Sequence, residues 1–427
     1  MTRLKAQASV GTSAAAAAPG KFRATIRNAQ RRSRFIYGGE VAALADDLNA
    51  SLLELKENLD DPRKGVEAVA DFFRSDEALF NMCDDSYGFL GQVFTFDACE
   101  LFVHYAAECK DKEWLAELVL KLQMDSDYGV RDCLIGAASR FLTLPVMQTL
   151  VEKLWTLARA ESEEHRQRHW LYRIESLARQ MHDPGMFERA TLTVSPDPGI
   201  GQCLEIAEVY FESGDAKTAL DWLNKVPLDA QYEAHKRDDL LLRVYQKLGR
   251  KKEAVETAWR IFRRWRHEET FSKLLEITGS RDRQRLLDDE AGLILKSPEL
   301  SYTDAKFLLW CGKAEDAETY LLSHTAEIDG NYYGDVLPLA ETMEREERYL
   351  AATILYRALL ESVLARAISK YYGYGVRYLR KLDELAPLVM TWKKFTPHDR
   401  YFSQLVEKHK RKSSFWGRYE AKGRRKK

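Results

Sequence analysis

Proline and glycine are scarce in this 427-residue chain, at 11 and 23 residues. Turn-rich β architectures need both. Their scarcity, with long stretches of Ala, Leu, Glu, Lys and Arg, points to a helical protein, and nothing reads as a β-sheet. No apolar run approaches the roughly 18 residues of a membrane span, so no membrane partner is expected. The six cysteines (Cys83, Cys99, Cys109, Cys133, Cys203, Cys311) show no CxC or CxxC spacing. That pattern excludes the usual zinc and dithiol motifs and fits reduced core residues of a cytoplasmic protein. There is no P-loop, no GxGxxG after a strand, no GxSxG elbow and no HExxH. No cofactor is expected, and catalysis is not the leading expectation.

What is present begins with charge. The net charge is −1, but residues 1–34 hold eight Lys/Arg and no acid, and residues 393–427 hold thirteen Lys/Arg against Asp399, Glu407 and Glu420. Two basic ends therefore flank an acidic body, which suits anionic partners or mutual attraction of the ends and the body. The first segment lacks the continuous apolar core of a signal peptide, and Arg31-Arg32 leads into no apolar stretch. Its Arg/Ala/Ser composition is like that of an organelle transit peptide. The plainer expectation is a disordered basic tail over 1–34.

Apolar residues then recur at helical spacing. Val41, Leu44, Leu48, Leu52 and Leu55 form one stripe, and Asp60-Asp61-Pro62 stops that helix and starts the next. Asp84-Asp85-Ser86-Tyr87-Gly88 precedes a helix with Leu90, Val93, Phe94, Leu101, Phe102 and Tyr105 inward. Asp125-Ser126-Asp127-Tyr128-Gly129 repeats this arrangement 41 residues on, within the spacing of HEAT-like helix pairs. Ser195-Pro196-Asp197-Pro198-Gly199 is the strongest internal punctuation and sets a linker at 191–201. Beyond it, Tyr210-x3-Gly214-x4-Ala219 recurs as Tyr245-x3-Gly249-x4-Ala254, 35 residues apart, close to the tetratricopeptide period. Ala317 and Ala352 resume that period, after one irregular pair split at Gly279-Ser280. The expected fold is an all-α α-solenoid. HEAT-like pairs occupy 35–190, tetratricopeptide-like pairs 202–392, and a terminal helix with a basic aromatic tail 393–427.

Three groups of residues could carry function. Asp84, Asp85, Asp125 and Asp127 could converge on a hard cation if neighbouring turns share an edge. The same residues suit the free N–H groups at helix starts, and the full calcium-loop pattern is absent. Glu161, His165 and His169 share a helix face within a heavily charged run. Lys410, Arg411, Lys412, Phe415, Trp416 and Arg418 mix cations with aromatics, as nucleic-acid contacts do. Phe415 and Trp416 could equally cap the last helix pair.

Gly38-Gly39-Glu40, the two Asp turns, Arg377-Tyr378-Leu379 and the ending His398-x2-Tyr401-x3-Leu405-x3-His409-Lys410-Arg411-Lys412-x2-Phe415-Trp416 together resemble a bacterial family of uncharacterised helical-repeat proteins. The resemblance spans residues 35–419. The second half is also similar to the helical region of bacterial SWIM zinc-finger proteins, without their C-x-C…C-x-H module. The likeness implies a fold and transfers no activity and no zinc site. The leading expectation is thus a non-enzymatic scaffold that binds a protein or peptide in a groove, with Glu208, Glu212, Arg243 and Gln246 as contacts. The alternative is nucleic-acid association through the basic tail, and a remote one is a metal-dependent hydrolase at the Asp turns.

Overall fold

The computed structural model describes residues 18–31, 34–124, 128–279 and 282–423. It is all-α, of the α-solenoid class, with successive helices paired. The chain divides into two compact units, residues 1–237 and 238–427. That division lies inside one helix and not at 191–201. Residues through Val194 are still helical there, and only a short bend separates two packed helices.

The first unit starts earlier than composition implied. Residues 18–30 are helical (α1), and Phe22 and Ile26 are buried in the core. Phe22 lies 6.1 Å from the Phe72 ring, and Arg23 Nε donates to Asp71 at 2.6 Å. The expectation of a disordered tail is therefore corrected for 18–31, where an apolar face was hidden among arginines. Residues 1–17 lie outside the described set.

Two-residue strands β1 (Ile36–Tyr37) and β2 (Cys83–Asp84) then pair in parallel, Ile36 opposite Cys83 and Tyr37 opposite Asp84. β1 feeds α2 (Gly39–Asn58), and β2 feeds α5 (Phe89–Gln92), which packs on α2. After α5 comes a π-helical turn, Val93–Ala98, then α6 (Cys99–Glu108). Between the strands come α3 (Pro62–Phe73) and the short α4 (Asp76–Phe80). The Asp61 side chain accepts from Lys64 N–H at 3.1 Å with Pro62 in the first turn, as the Asp-Pro signal predicts. The α3 stripe brings Phe72 and Phe73 against Phe94, with Phe72 and Phe94 stacked at 4.4 Å. Gly65 is needed there because a β-carbon would overlap the Tyr105 ring.

The rest of the first unit comprises α7 (Lys112–Met124), α8 (Asp132–Gly136), α9 (Leu144–Ala160), α10 (Glu164–Gln180), α11 (Pro184–Val194), α12 (Ile200–Glu212) and α13 (Ala216–Leu223). An ionic core ties several of them. Arg131 Nε and Nη2 donate to both Asp76 oxygens at 2.8 and 2.6 Å, with the side chains 4% and 1% exposed. Arg131 Nη1 donates to Leu122 O, Gln123 donates to Arg131 O, and Arg173 donates to Gln123 and Asp132.

The division falls within α14 (Ala234–Lys247). The second unit continues with α15 (Lys251–Arg264), α16 (Glu268–Thr278), α17 (Arg283–Ile294), α18 (Tyr302–Trp310), α19 (Ala314–Ser323), α20 (Tyr333–Arg345), α21 (Tyr349–Arg366), α22 (Tyr372–Leu385), α23 (His398–His409) and α24 (Ser413–Gly423). Three of its helix pairs, α14–α15, α18–α19 and α20–α21, are closed by one device. The residue after a left-handed turn donates its N–H five residues back: Arg250 to Tyr245 O, Lys313 to Leu308 O and Arg348 to Met343 O, at 2.8–2.9 Å. Gly249, Gly312 and Glu347 hold the positive φ angles, which satisfies carbonyls left over at the helix end. The first unit uses the same closure at Asp183 and Asp215, with His182 and Gly214 at positive φ. The same closure therefore already joins α10 to α11, before residues 191–201. The irregular pair is α16–α17, parted at Gly279. Arginines from the end of α15 and the loop after it hold buried acids. Arg260 and Arg264 grip Asp238, Arg263 and Arg266 grip Glu290, and Arg266 reaches Asp304.

Candidate functional site

The parallel ladder sets α2 and the α5–α6 helix off side by side, and the groove between them holds a cleft of 580 Å³. The π-turn makes it. A π-turn inserts one extra residue, so the helix keeps Leu90, Val93 and Phe94 on one side of the insertion and Leu101, Phe102 and Tyr105 on the other in the core. Phe96 and Asp97 are pushed out over the groove. Phe96 is 65% exposed, and Leu53 on α2, also lining the cleft, is 57% exposed. Asp97 is half-buried, and burial alone pushes its carboxyl above the usual carboxylate range. Nearby Glu100 is held by Arg140 and accepts from both guanidinium nitrogens. At the end of the groove where both helices start, Phe35 and Tyr37 pair at 4.9 Å and Tyr87 and Phe89 at 5.9 Å, all four exposed. Leu53 and Phe96 therefore leave an exposed apolar strip across the cleft, whose lining also includes Lys56, Asp97, Glu100 and Arg140. Sequence reasoning missed Leu53, Phe96 and Asp97; the available signal was an aromatic residue two places off the buried stripe.

The sequence-predicted residues lie elsewhere. Asp84 accepts from the Ser86 N–H and hydroxyl, which lowers its pKa. Asp85 accepts from Leu90 and Gly91 N–H at 2.9 and 2.8 Å. Both serve the turn and the helix start. Asp125 and Asp127 lie outside the described residues. Among the described residues no three His, Cys, Asp or Glu side chains are grouped to hold a metal. Glu161 caps the turn at Ser162 and Glu163, while the His165 and His169 rings stand 6.5 Å apart. In the first unit Glu208 pairs with Lys236 at 3.8 Å and Glu212 with Arg179 at 3.5 Å. In the second, Arg243 pairs with Asp239 at 3.8 Å and Gln246 is exposed.

The basic tail requires a correction. Residues 413–423 form helix α24. Phe415 is fully buried against Tyr372, and Trp416 packs on Phe402 and Tyr419 while its Nε1 donates to His409 O. Rings spent on the core cannot stack on bases. Lys410 pairs with Glu407, and Arg411 and Arg418 are exposed while Lys412 is half-buried. Residues 424–427 lie outside the described set.

The helix pairs and their repeated closures define a helical-repeat protein. More particularly, the chain belongs to DUF6880, a family of unknown function, which matches residues 2–193 and 201–418. No curated protein matches it. Among solved structures it is similar to a chain in the structure of Naa15/Naa10 bound to HypK-THB, at 14% identity and TM-score 0.33, over 92% of this chain and 63% of that one. It thus spans less than two thirds of that chain's length. It is also similar to a circular tandem repeat protein with novel repeat topology and enhanced subunit contact surfaces, at 13% identity and TM-score 0.16, over 94% and 90% of the two chains. No helix among the described residues is long and apolar enough to cross a membrane.

Proposed function

We propose that the protein is a non-enzymatic, cytoplasmic interaction scaffold that takes a segment of a partner protein along the α2/α5–α6 groove of its first unit. The observation that carries this reading is the exposure of Leu53 and Phe96 across one cleft, with four more exposed aromatic residues at the starts of the same two helices. Apolar surface left in water forgoes about 25 cal/mol per Å² that a partner would recover. Aromatic anchors supply much of the energy at interfaces. Asp97 lies half-buried in the same cleft, with Lys56 and Arg140 also lining it. The fitting segment therefore carries aromatic or aliphatic anchors. Glu208, Glu212, Arg243 and Gln246, on the first helices of their pairs, extend the proposal to further contacts. A likeness of the second half to the helical region of SWIM zinc-finger proteins, without their zinc module, is part of this proposal and rests on the sequence alone.

A photo-crosslinking residue at position 96 tests it, with Tyr172 on α10, exposed but outside the strip, as the control position. The expected result is a discrete covalent adduct with one partner from position 96 and none from 172. The same adducts from both positions, or none from 96, would refute the groove.

A further inference from the structure

One end of the second unit is built from two segments that carry no acid. Between Glu361 and Asp383 lie five Lys/Arg and no carboxylate, and between Glu407 and Glu420 again five and none. The two segments meet in the fold. Ala367 takes a left-handed angle that ends α21, and a short turn, Ser369–Tyr371, leads into α22. The start of α24 packs on this elbow, with the Phe415 ring 5.7 Å from Tyr372 and against Gly375. The turn between α23 and α24 is tied to the end of α21, where Lys408 pairs with Glu361 at 3.5 Å.

Some of these cations are used internally. Arg380 donates to Tyr419 O, Lys381 pairs with Glu344, and Lys408 and Lys410 hold Glu361 and Glu407. Arg366, Lys370, Arg377 and Arg411 are exposed, and among the described residues no carboxylate pairs with them. The positive field of this end reaches inward, where the His409 imidazole is pushed down by burial first and then by Lys408 and Lys412. The elbow also exposes aromatic rings. Tyr371 and Tyr374 are 37% and 48% exposed, and Arg366 and Arg377 stand beside them at 5.8 and 4.7 Å from the ring centres. Phe415 and Trp416 spend their rings on packing, and these two do not.

We infer that this end of the second unit binds single-stranded nucleic acid, with phosphates at Arg366, Lys370, Arg377 and Arg411 and bases stacked on Tyr371 and Tyr374. Cations with no carboxylate among them attract phosphates and release their counterions. Every base has a face that stacks on a tyrosine ring, and a neighbouring guanidinium adds to the stack. An acidic peptide would satisfy the cations and leave the rings unused, and a duplex keeps its base faces hidden. The surface stands on the second unit and does not depend on the groove of the first.

The test is fluorescence anisotropy of the full chain with a labelled oligouridine of about 12 nucleotides. Saturable binding is expected, weakening steeply as salt is raised. Tyr371→Ala with Tyr374→Ala keeps the charge and should weaken binding at least about fivefold, the loss of one stacked base, with the salt slope unchanged. Lys370→Glu with Arg377→Glu should weaken it at least about tenfold and lower the salt slope. All four positions are exposed, and circular dichroism and melting temperature check that both variants stay folded. Unlabelled oligoglutamate of equal charge should compete poorly. No saturable binding, equal competition by oligoglutamate, or unchanged binding in either variant would each overturn the assignment.

Discussion

Removing one member of the Asp76–Arg131 pair should be the most damaging polar substitution in the first unit. Asp76 accepts from Arg131 Nε, Arg131 Nη2 and Glu77 N–H. In Asp76→Ala the guanidinium keeps only Leu122 O, at a site 4% exposed. Breaking a buried pair from one side costs about 3–5 kcal/mol, because the surviving charge can neither leave nor find water. Arg131→Met should cost a comparable amount, leaving a carboxylate with one backbone donor. The double variant Asp76→Leu with Arg131→Met should lie within about 2 kcal/mol of the parent, since no charge is stranded. The readout is hydrogen exchange of α7 and α10 peptides under denaturant, which reports this unit without assuming that the whole chain unfolds in one step. Single variants within about 1 kcal/mol of the parent, or strictly additive costs, would refute this account of the pair.

Three further outcomes follow from the same kind of reasoning. Phe415→Ala should destabilise the α22–α24 packing by about 3–5 kcal/mol, as for any large buried aromatic, and the loss should appear in chemical denaturation of the second unit. Gly330→Ala should be comparably harmful, since its β-carbon would overlap the Ala358 carbonyl oxygen, and backbone cannot step aside; a melting temperature unchanged from the parent would count against this close approach. The His409 imidazole is pushed down from 6.5, by burial first and then by Lys408 and Lys412. Below 6.5 the unfolded chain takes up the proton first, so stability should fall as pH drops from 6.5 through the depressed value. His409→Gln should flatten that part of a stability–pH curve measured by urea denaturation.

Much of the fold was legible because its signals are local. Asp61-Pro62 starts a helix wherever it stands, and Gly249 and Gly312 close helix pairs through a backbone angle that glycine adopts freely. Closures at His182 and Glu347 were not legible, because residues without that freedom hold the same angle under tertiary packing. The burial of Phe415 depends on Gly375 leaving room on a neighbouring helix, with a β-carbon there 3.1 Å from the ring. No property of the tail itself announces it. The π-turn was illegible for a related reason. An extra residue within an unbroken helix leaves composition and caps unchanged and alters only the phase, which placed Phe96 and Asp97 on the groove.

The central claim is that the first-unit groove binds a protein partner. Its most direct test is quantitative affinity purification from native lysate, after nuclease treatment, of the parent chain and of Leu53→Glu with Phe96→Glu. Both positions are already exposed, so the variant should keep the parent's melting temperature. The account predicts a partner that survives nuclease with the parent and is lost with the variant. Retention of the same partner by the folded variant, or its loss on nuclease treatment of the parent, would contradict it.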